Sequence, residues 1–538
     1  MLEIRTARSG RPTALVDGTH IHSPYDPQSE ARRFVSQSLS DQSPSIILLL
    51  GAGLGYLFEE LQRSFPAARI LVIFYSEAIR KAFGPTLSPD SFWHPGAGNT
   101  VLSFLRSRVH ELEAEGLVTL EWPPSARIYP QASMEANQAL HQFFREIRGT
   151  LVTTSALGRL WLRNSLYNFL AIEEIYPQTG SVSIPPVTVI AASGPTLQKG
   201  IDFLVSYRRK IELWALPSSL AFLLSRGLLP DTIFLTDPGY YAFSHLQCGK
   251  DHRLHLSMPL SAARGTWRIG ARVSLLSQDT PFERILLGQA GITAPIVPAL
   301  GTVSATALFV ALRRRARVVV FAGLDFCYND IFSHVRPNNF ENWLVPKSNR
   351  LDSLHHQLFS LAAENSSGGG GGQRTNLALD TYAGWFAEAG RSAGNRIRRL
   401  HPSAVELPGI EEIGEAELEH LIRSEKGEAE RPRELQRPLP GYPKRERRRQ
   451  IAAAVLNDWI LRTERSAAAI HSQRTLDPLT NDSDSLSLIY LCNAAELTEA
   501  RRTLRLQGQE AAVRKASAVL ENHRRFLQDL SQKISEIV

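Results

Sequence analysis

Cysteine is scarce: Cys248, Cys327 and Cys492 are the three in 538 residues, far apart and with no CxxC pair, which argues against a disulfide framework. His245, His252 and His255 flank Cys248 at spacings zinc accepts, but no second thiolate is near and His255 falls in a strand-like run, so no metal is expected there. Long apolar runs are missing too. The stretch Ile46–Leu50 is far shorter than the roughly 20 residues of a membrane span, and the opening MLEIRTARSG has no continuous apolar core behind its charges, so a cytoplasmic chain without a membrane span is expected. The basic runs Arg313–Arg315 and Lys444–Arg449 carry no interleaved aromatics to stack bases; they read as a solvated helix face and a charged linker, with no nucleic-acid partner. A metal-binding DxD pair at a strand end is also lacking, since Asp482-Ser483-Asp484 reads as a polar turn of the C-terminal region.

What is present is the balance of a folded protein. Hydrophobic residues make up 43% and charged residues 21%, and the length calls for two or three domains. A net charge of +7 suits an anionic partner such as a nucleotide. Residues 1 to about 45 are polar, with a short amphipathic helix over Ser29–Leu39. SIILLLGAGLGYLFEELQRSF followed by RILVIFYSE gives a β-turn-α-β unit. After the helical stretch Met134–Ile175, Pro185-Pro186 marks a boundary. The apolar runs VTVIAAS, IELWALP, TIFLTDP, RLHLSMP, RVSLLSQ and RVVVFAGLD then imply parallel strands buried on both faces. SSGGGGGQ reads as a surface loop, Lys426–Arg448 as a charged, proline-rich boundary, and the remainder as helices. The expected organisation is a Rossmann-like domain over 1–180, a central open parallel-sheet domain over 185–425, a linker over 426–449 and a helical bundle over 450–538.

Two turns carry candidate chemistry. Gly51-Ala52-Gly53-Leu54-Gly55-Tyr56, with Glu77 after the next strand, fits a dinucleotide or S-adenosylmethionine fingerprint, or a turn that is merely tight. Ser193-Gly194-Pro195-Thr196 follows a buried strand and is expected to open a helix over Leu197–Tyr207, where glycine lets a phosphate approach and Thr196 donates to it.

The segments SSLAFLLSRGLLPDTIFLTDPGYY, GTVSATALFVALRRRARVVVFAGLDFCYNDIFSH and TNLALDTYAGWFAE resemble, in order and spacing, the central domain of the motility accessory factor family. Those are flagellin glycosyltransferases sharing a domain with archaeal hydroxymethylpterin diphosphokinases (MptE-like). The GxGxGY turn and a helical C-terminal region extend the resemblance over most of the chain. It maps the family's glycine-proline-serine turn to Gly194, Pro195 and Thr196. The PD strand motif falls at Pro230-Asp231, ending in Asp237, and the glycine-threonine turn at Gly301 and Thr302. The GxDLAY motif with its following histidine falls at Gly323, Asp325, Tyr328 and His334. Phe326-Cys327 replace the usual leucine-alanine. Ser218 and Ser219 stand where the family places an Asp or similar polar group, so they supply hydrogen bonds without its charge.

Through the family's own likeness to sialyltransferases, the resemblance implies a sialyltransferase-like central domain and an inverting enzyme without a metal or other cofactor. The donor would be a CMP-linked nonulosonic acid of the pseudaminic or legionaminic type, and the acceptor a Ser or Thr of flagellin. In that reading Ser193 to Thr196, Ser218, Ser219, Gly301, Thr302 and Tyr328 bind the nucleotide. His334 is the base, and Asp325 or Asp237 orients it or acts instead. Trp385 is assigned to packing. Two alternatives stand beside it: a diphosphokinase with Mg²⁺ held by Asp237 and Asp325, and a non-catalytic flagellin-binding accessory protein.

Overall fold

The computed structural model describes residues 2–40, 44–178, 187–364, 367–368, 374–424, 437–476, 479 and 483–536. Pro185-Pro186, most of the glycine tract, residues 426–436 of the expected linker and Asp482 lie outside them. The described chain forms two compact units, one from Met1–Gly158 and Thr463–His523, the other from Arg159–Arg462 and Arg524–Val538.

In the first unit, β1 (Leu2–Thr6), β2 (Pro12–Val16) and β3 (Thr19–His20) form an antiparallel sheet. The strands β4 (Ile46–Leu50), β5 (Arg69–Ile73), β6 (Phe92–Trp93) and β7 (Leu117–Glu121) form a parallel one in the order β6-β5-β4-β7. The unbroken apolar run of β4 has a simple cause. Ile47 and Leu49 pack with Val72 and Phe74 in one core, while Ile46, Leu48 and Leu50 pack with Leu71 and Ile73 in another, so alternate side chains face opposite and equally dry sides. The helix Ser483–Gln507 joins this unit with most of Gln509–Glu536. Ser483 and Asp484 therefore begin a helix rather than the polar turn expected of them.

The second unit is built on an eight-stranded parallel sheet. Its strands are β8 (Val187–Ala191), β9 (Glu212–Ala215), β10 (Thr232–Phe234), β11 (His255–Pro259), β12 (Arg272–Leu276), β13 (Val318–Ala322), β16 (Ile397–Leu400) and β17 (Glu411–Ile413). A small antiparallel ribbon, β14 (Ser367–Gly368) with β15 (Arg374–Thr375), stands apart. The sheet order is β12-β11-β10-β9-β8-β13-β16-β17. An α/β protein with parallel sheets and C-terminal helices is what the apolar runs required.

The basic runs have structural duties. Arg314 pairs with Glu212 at 3.4 Å and lies over Trp214. Arg445–Arg449, expected in a linker, open the helix Arg445–Gln473. Within it Arg448 is buried and donates to the carbonyls of Pro443 and Leu170 at 2.6 and 2.9 Å. Among the described residues no helix is long and apolar enough to cross a membrane.

Candidate functional site

Strand β8 enters the middle of the sheet, β9 to β12 extend one way from it, and β13 returns to its other side. In open parallel sheets such a reversal leaves a crevice outside the strands' carboxyl ends, where ligands bind. Here that crevice lies beyond β8 and β13. Their register, with Ala191 opposite Ala322, sets Ser193–Thr196 against Gly323–Asp325, residues 129 positions apart. The Gly194 amide donates to the Gly323 carbonyl at 2.8 Å. A Cβ on Gly194 would lie 2.5 Å from the Asp325 carboxyl carbon and 2.6 Å from that carbonyl, so no larger residue fits.

Asp325 changes the expected role of this turn. Its carboxylate is buried and accepts the Thr196 amide at 2.9 Å together with the Thr196 hydroxyl. Burial raises its pKa, opposed by those two bonds and by the charge of Arg399 on β16. Thr196 also lies in a 3-10 turn, Pro195–Gln198, and the following helix begins only at Ile201 and runs seven residues, to Tyr207. The expected role of Thr196 is thus corrected: its amide and hydroxyl are taken by a protein carboxylate, and the regular helix expected from Leu197 begins only at Ile201. Asp325, expected to orient His334 or act as base, instead ties β13 to the turn after β8. Ser219 is corrected likewise. It is fully buried, and its hydroxyl donates to the carbonyls of Ala191 and Leu216, each at 2.9 Å. Ser218 beside it is only partly buried.

The remaining predicted residues gather around the same strand ends. The loop after Asp325 folds back so that the Val335 amide donates to the Ser193 carbonyl at 2.8 Å, which brings His334 beside the β8 turn. The His334 Nδ1 meets the Ser333 hydroxyl at 2.8 Å. Burial, with a lesser push from His245, lowers its pKa to about 4, so the imidazole is neutral at pH 7. Asp237 is exposed beyond β10 and accepts the Gly239 amide at 2.6 Å. Its charge opposes the burial that lowers the pKa of His245, and adds to the burial that raises that of Tyr382. Tyr382 in turn would lie 3.4 Å from a Cβ on Gly301. Gly301, at φ +74°, and Thr302 precede the helix Val303–Arg313, with the Thr302 hydroxyl on that of Ser304 at 2.9 Å. Asp237, His245, His334, Tyr382 and Gly301 therefore share one neighbourhood. Tyr328 is partly buried, and its amide donates to the Arg374 carbonyl at 2.8 Å, pinning the loop to β15.

Several supporting residues escaped the sequence reading. Asn164 and Asn168, four apart on one face of the helix Pro130–Ala171, are fully buried. Asn164 donates to the carbonyls of Pro238 and Ser261, and Asn168 to those of Leu260 and Ala262, at 2.8–3.2 Å. Together they clamp the loops after β10 and β11. The i, i+4 repeat of Asn in an otherwise apolar helical stretch was the available signal. Arg399 is buried, which depresses its pKa, and it donates to the Val405 carbonyl. Around Cys248, the thiol donates to the His245 carbonyl at 3.3 Å and His255 pairs with the Ser274 hydroxyl at 2.5 Å. No group of three His, Cys, Asp or Glu among the described residues could hold a metal.

The glycine-rich turn of the first unit is filled by the protein itself. Gly53, at φ +62°, leaves room for His22, whose Nε2 would stand 2.2 Å from a Cβ there. That nitrogen accepts the Leu54 amide at 2.9 Å while the ring stacks on Trp122. Ser125 crowds Gly51. Glu77, expected near a ribose, holds Arg80 and His94 at 2.7 Å each. His22 thus takes up the face that Gly53 leaves bare and the amide of Leu54.

Residues 179–330 match the family model for 6-hydroxymethylpterin diphosphokinase MptE-like proteins. Two uncharacterised proteins of Treponema pallidum (strain Nichols) are each 25% identical to the chain. One match covers 305 residues, 56% of this chain and 63% of the relative; the other covers 121 residues, 22% and 58%. The matches thus span less than two thirds of those relatives. The solved structure of MAf glycosyltransferase from Magnetospirillum magneticum AMB-1 superposes with a TM-score of 0.59 over 99% of this chain and 92% of that one, at 12% identity. That identity shows a shared fold. Residues 179–330 are thus similar to MptE-like proteins, and the whole chain shares the fold of a MAf glycosyltransferase, in line with the resemblance carried by the motifs around Gly194, Asp237, Gly301 and Asp325.

Proposed function

We propose that this protein is a glycosyltransferase that moves a nonulosonic acid of the pseudaminic or legionaminic type from a CMP-activated donor to Ser or Thr hydroxyls of flagellin or a related filament protein. The observation that carries this reading is the likeness of fold to a MAf glycosyltransferase across 99% of the chain. The placement of His334 beside the β8 turn and of the exposed Asp237 beyond β10 supports it.

In this reading the donor phosphate meets the amides that open the helix Val303–Arg313. The acceptor oxygen bonds to the sugar's anomeric carbon as the bond to the CMP phosphate breaks, inverting that centre. CMP leaves with the electron pair, and the hydroxyl proton passes to His334. Neutral imidazole can take it, though a base held near 4 accepts it late, when the sugar is already cationic. The exposed Asp237 carboxylate stabilises that oxocarbenium-like charge. Asp325 is a positioning residue.

The test has two arms. CMP should protect the protein against thermal unfolding more than ATP does, and His334→Ala should lose transfer to unmodified flagellin while keeping the CMP protection. Transfer by that variant at the parental rate removes His334 from the role, and a wild-type chain that binds CMP yet transfers nothing supports a non-catalytic flagellin-binding protein instead.

The MptE-like match over 179–330 favours a second reading, Mg²⁺-dependent diphosphoryl transfer to a pterin. Of the two carboxylates expected to hold Mg²⁺, Asp325 fits poorly, because it is buried with both oxygens on Thr196, while Asp237 is exposed. A shift produced by ATP with Mg²⁺ and not by CMP would select it.

A further inference from the structure

Three residues past Asp237 the chain enters the helix Tyr240–Leu246, which packs against the helix Asn339–Leu344. Tyr240 and Tyr241 both meet Trp343, with ring centroids 5.7 and 5.1 Å apart, and Tyr241 reaches Phe340 at 6.3 Å. Lys347 lies over Trp343 with its Nζ 5.2 Å from the ring centre. These rings are not core. Tyr240 is 57% exposed, Tyr241 50% and Val345 54%. The ledge is also fixed in place, since the Asn339 amide donates to the carbonyls of Ser244 and His245 at 2.8 and 3.3 Å. One helix thus carries the exposed tyrosines at its start and His245 at its end.

We propose that this aromatic ledge is the acceptor subsite, receiving an apolar stretch of polypeptide whose Ser or Thr is thereby presented to His334. The inference rests on the glycosyl-transfer reading, which requires a second substrate to approach these strand ends from solvent. The ring geometry favours a polypeptide over the donor's base. Interplanar angles of 66° and 63° make a corrugated surface that accepts side chains between rings, whereas a planar base needs an open flat face. Tyr and Trp standing half in water beside a site are the residues that dominate protein recognition, and Lys347 adds a cation at the edge for an acidic neighbour in the acceptor.

The experiment uses the full chain and recombinant unmodified flagellin. Tyr240→Ala/Tyr241→Ala and Trp343→Ala should each raise KM for flagellin by ~10-fold or more and change kcat at saturation far less. CMP protection should stay at its wild-type value, and the melting loss from the emptied ring contacts should leave the protein folded at the assay temperature. Trp343→Phe keeps a ring and should recover most of the loss. If the wild-type chain transfers and these variants keep its KM within twofold, the ledge proposal falls and the glycosyl-transfer reading stands. It falls as well if the variants change the sedimentation coefficient instead, because the rings then bind a second copy of this chain. If the wild-type chain transfers nothing to flagellin, both fall.

Discussion

Asp325 is the residue whose substitution separates a chemical role from an architectural one. Its carboxylate takes two donors from Thr196 and opposes the buried Arg399. Asp325→Ala leaves both donors without an acceptor, at about 1–3 kcal/mol each in a buried setting, and strips Arg399 of one neighbouring charge. Glu412 and Glu406 still act on Arg399, so the sum stays near the lower end of what breaking a buried pair costs, ~3–5 kcal/mol. Asp325→Asn keeps the volume and one acceptor and should cost about 1–3 kcal/mol. Calorimetric melting gives the global loss. Hydrogen exchange read on peptides spanning Ser193–Lys199 gives the local one, and both variants should speed exchange at Thr196. In the asparagine variant transfer should fall no more than the loss of folded protein explains. If Asp325→Asn melts within 1 °C of the parent yet transfers at least 100-fold more slowly, Asp325 takes part in the chemistry and the positioning argument is wrong.

Four further outcomes are expected. Burial holds the folded pKa of His334 and His255 at about 4, below the ~6.5 of an unfolded imidazole. The unfolded chain therefore binds more protons between those values, and stability, full above pH 6.5, should be lost as pH falls toward 4; His334→Gln and His255→Gln should each flatten that slope in urea titrations, and the acid limb of transfer should lie near pH 4. In the first unit, His22→Ala should cost ~2–4 kcal/mol by leaving the Leu54 amide unpaired and a void beside Trp122, and neither NAD nor S-adenosylmethionine should protect the wild-type chain, a protection that would show the turn opens after all.

The strands β4, β5, β8 to β13 were legible because each is buried on both faces, so burial wrote an unbroken apolar run. Strands β16 and β17 were not. IRRL hides an arginine, Arg399, in its buried half, while Arg398 pairs with Glu411 across the two strands at 3.3 Å. Charge there broke the apolar run by which the other strands were read, which is also how sheet edges avoid aggregation. The site shows the same division. The apolar runs placed Ser193, Ser218, Asp237 and Asp325 at strand ends, and the fold sets them at the carboxyl ends of β8, β9, β10 and β13. Spacing could not reveal that Asp325 would turn inward onto Thr196, because that depends on a glycine pair, Gly194 and Gly323, closing to backbone contact across 129 residues. His22 was invisible for the same reason: the turn advertised a vacancy, and a residue some thirty positions upstream fills it.

The two compact units are each assembled from separated stretches, with Thr463–His523 returning to the unit that began at the first residues and Arg524–Val538 to the other. Cutting the gene after the central domain would therefore take wall material out of both halves. An expression fragment limited to residues 179–330 would lack β16, β17 and the helix bearing Asn164 and Asn168 as well. On the ribosome, neither half can close before its last helical return is synthesised. Truncation after the central domain therefore removes part of both units.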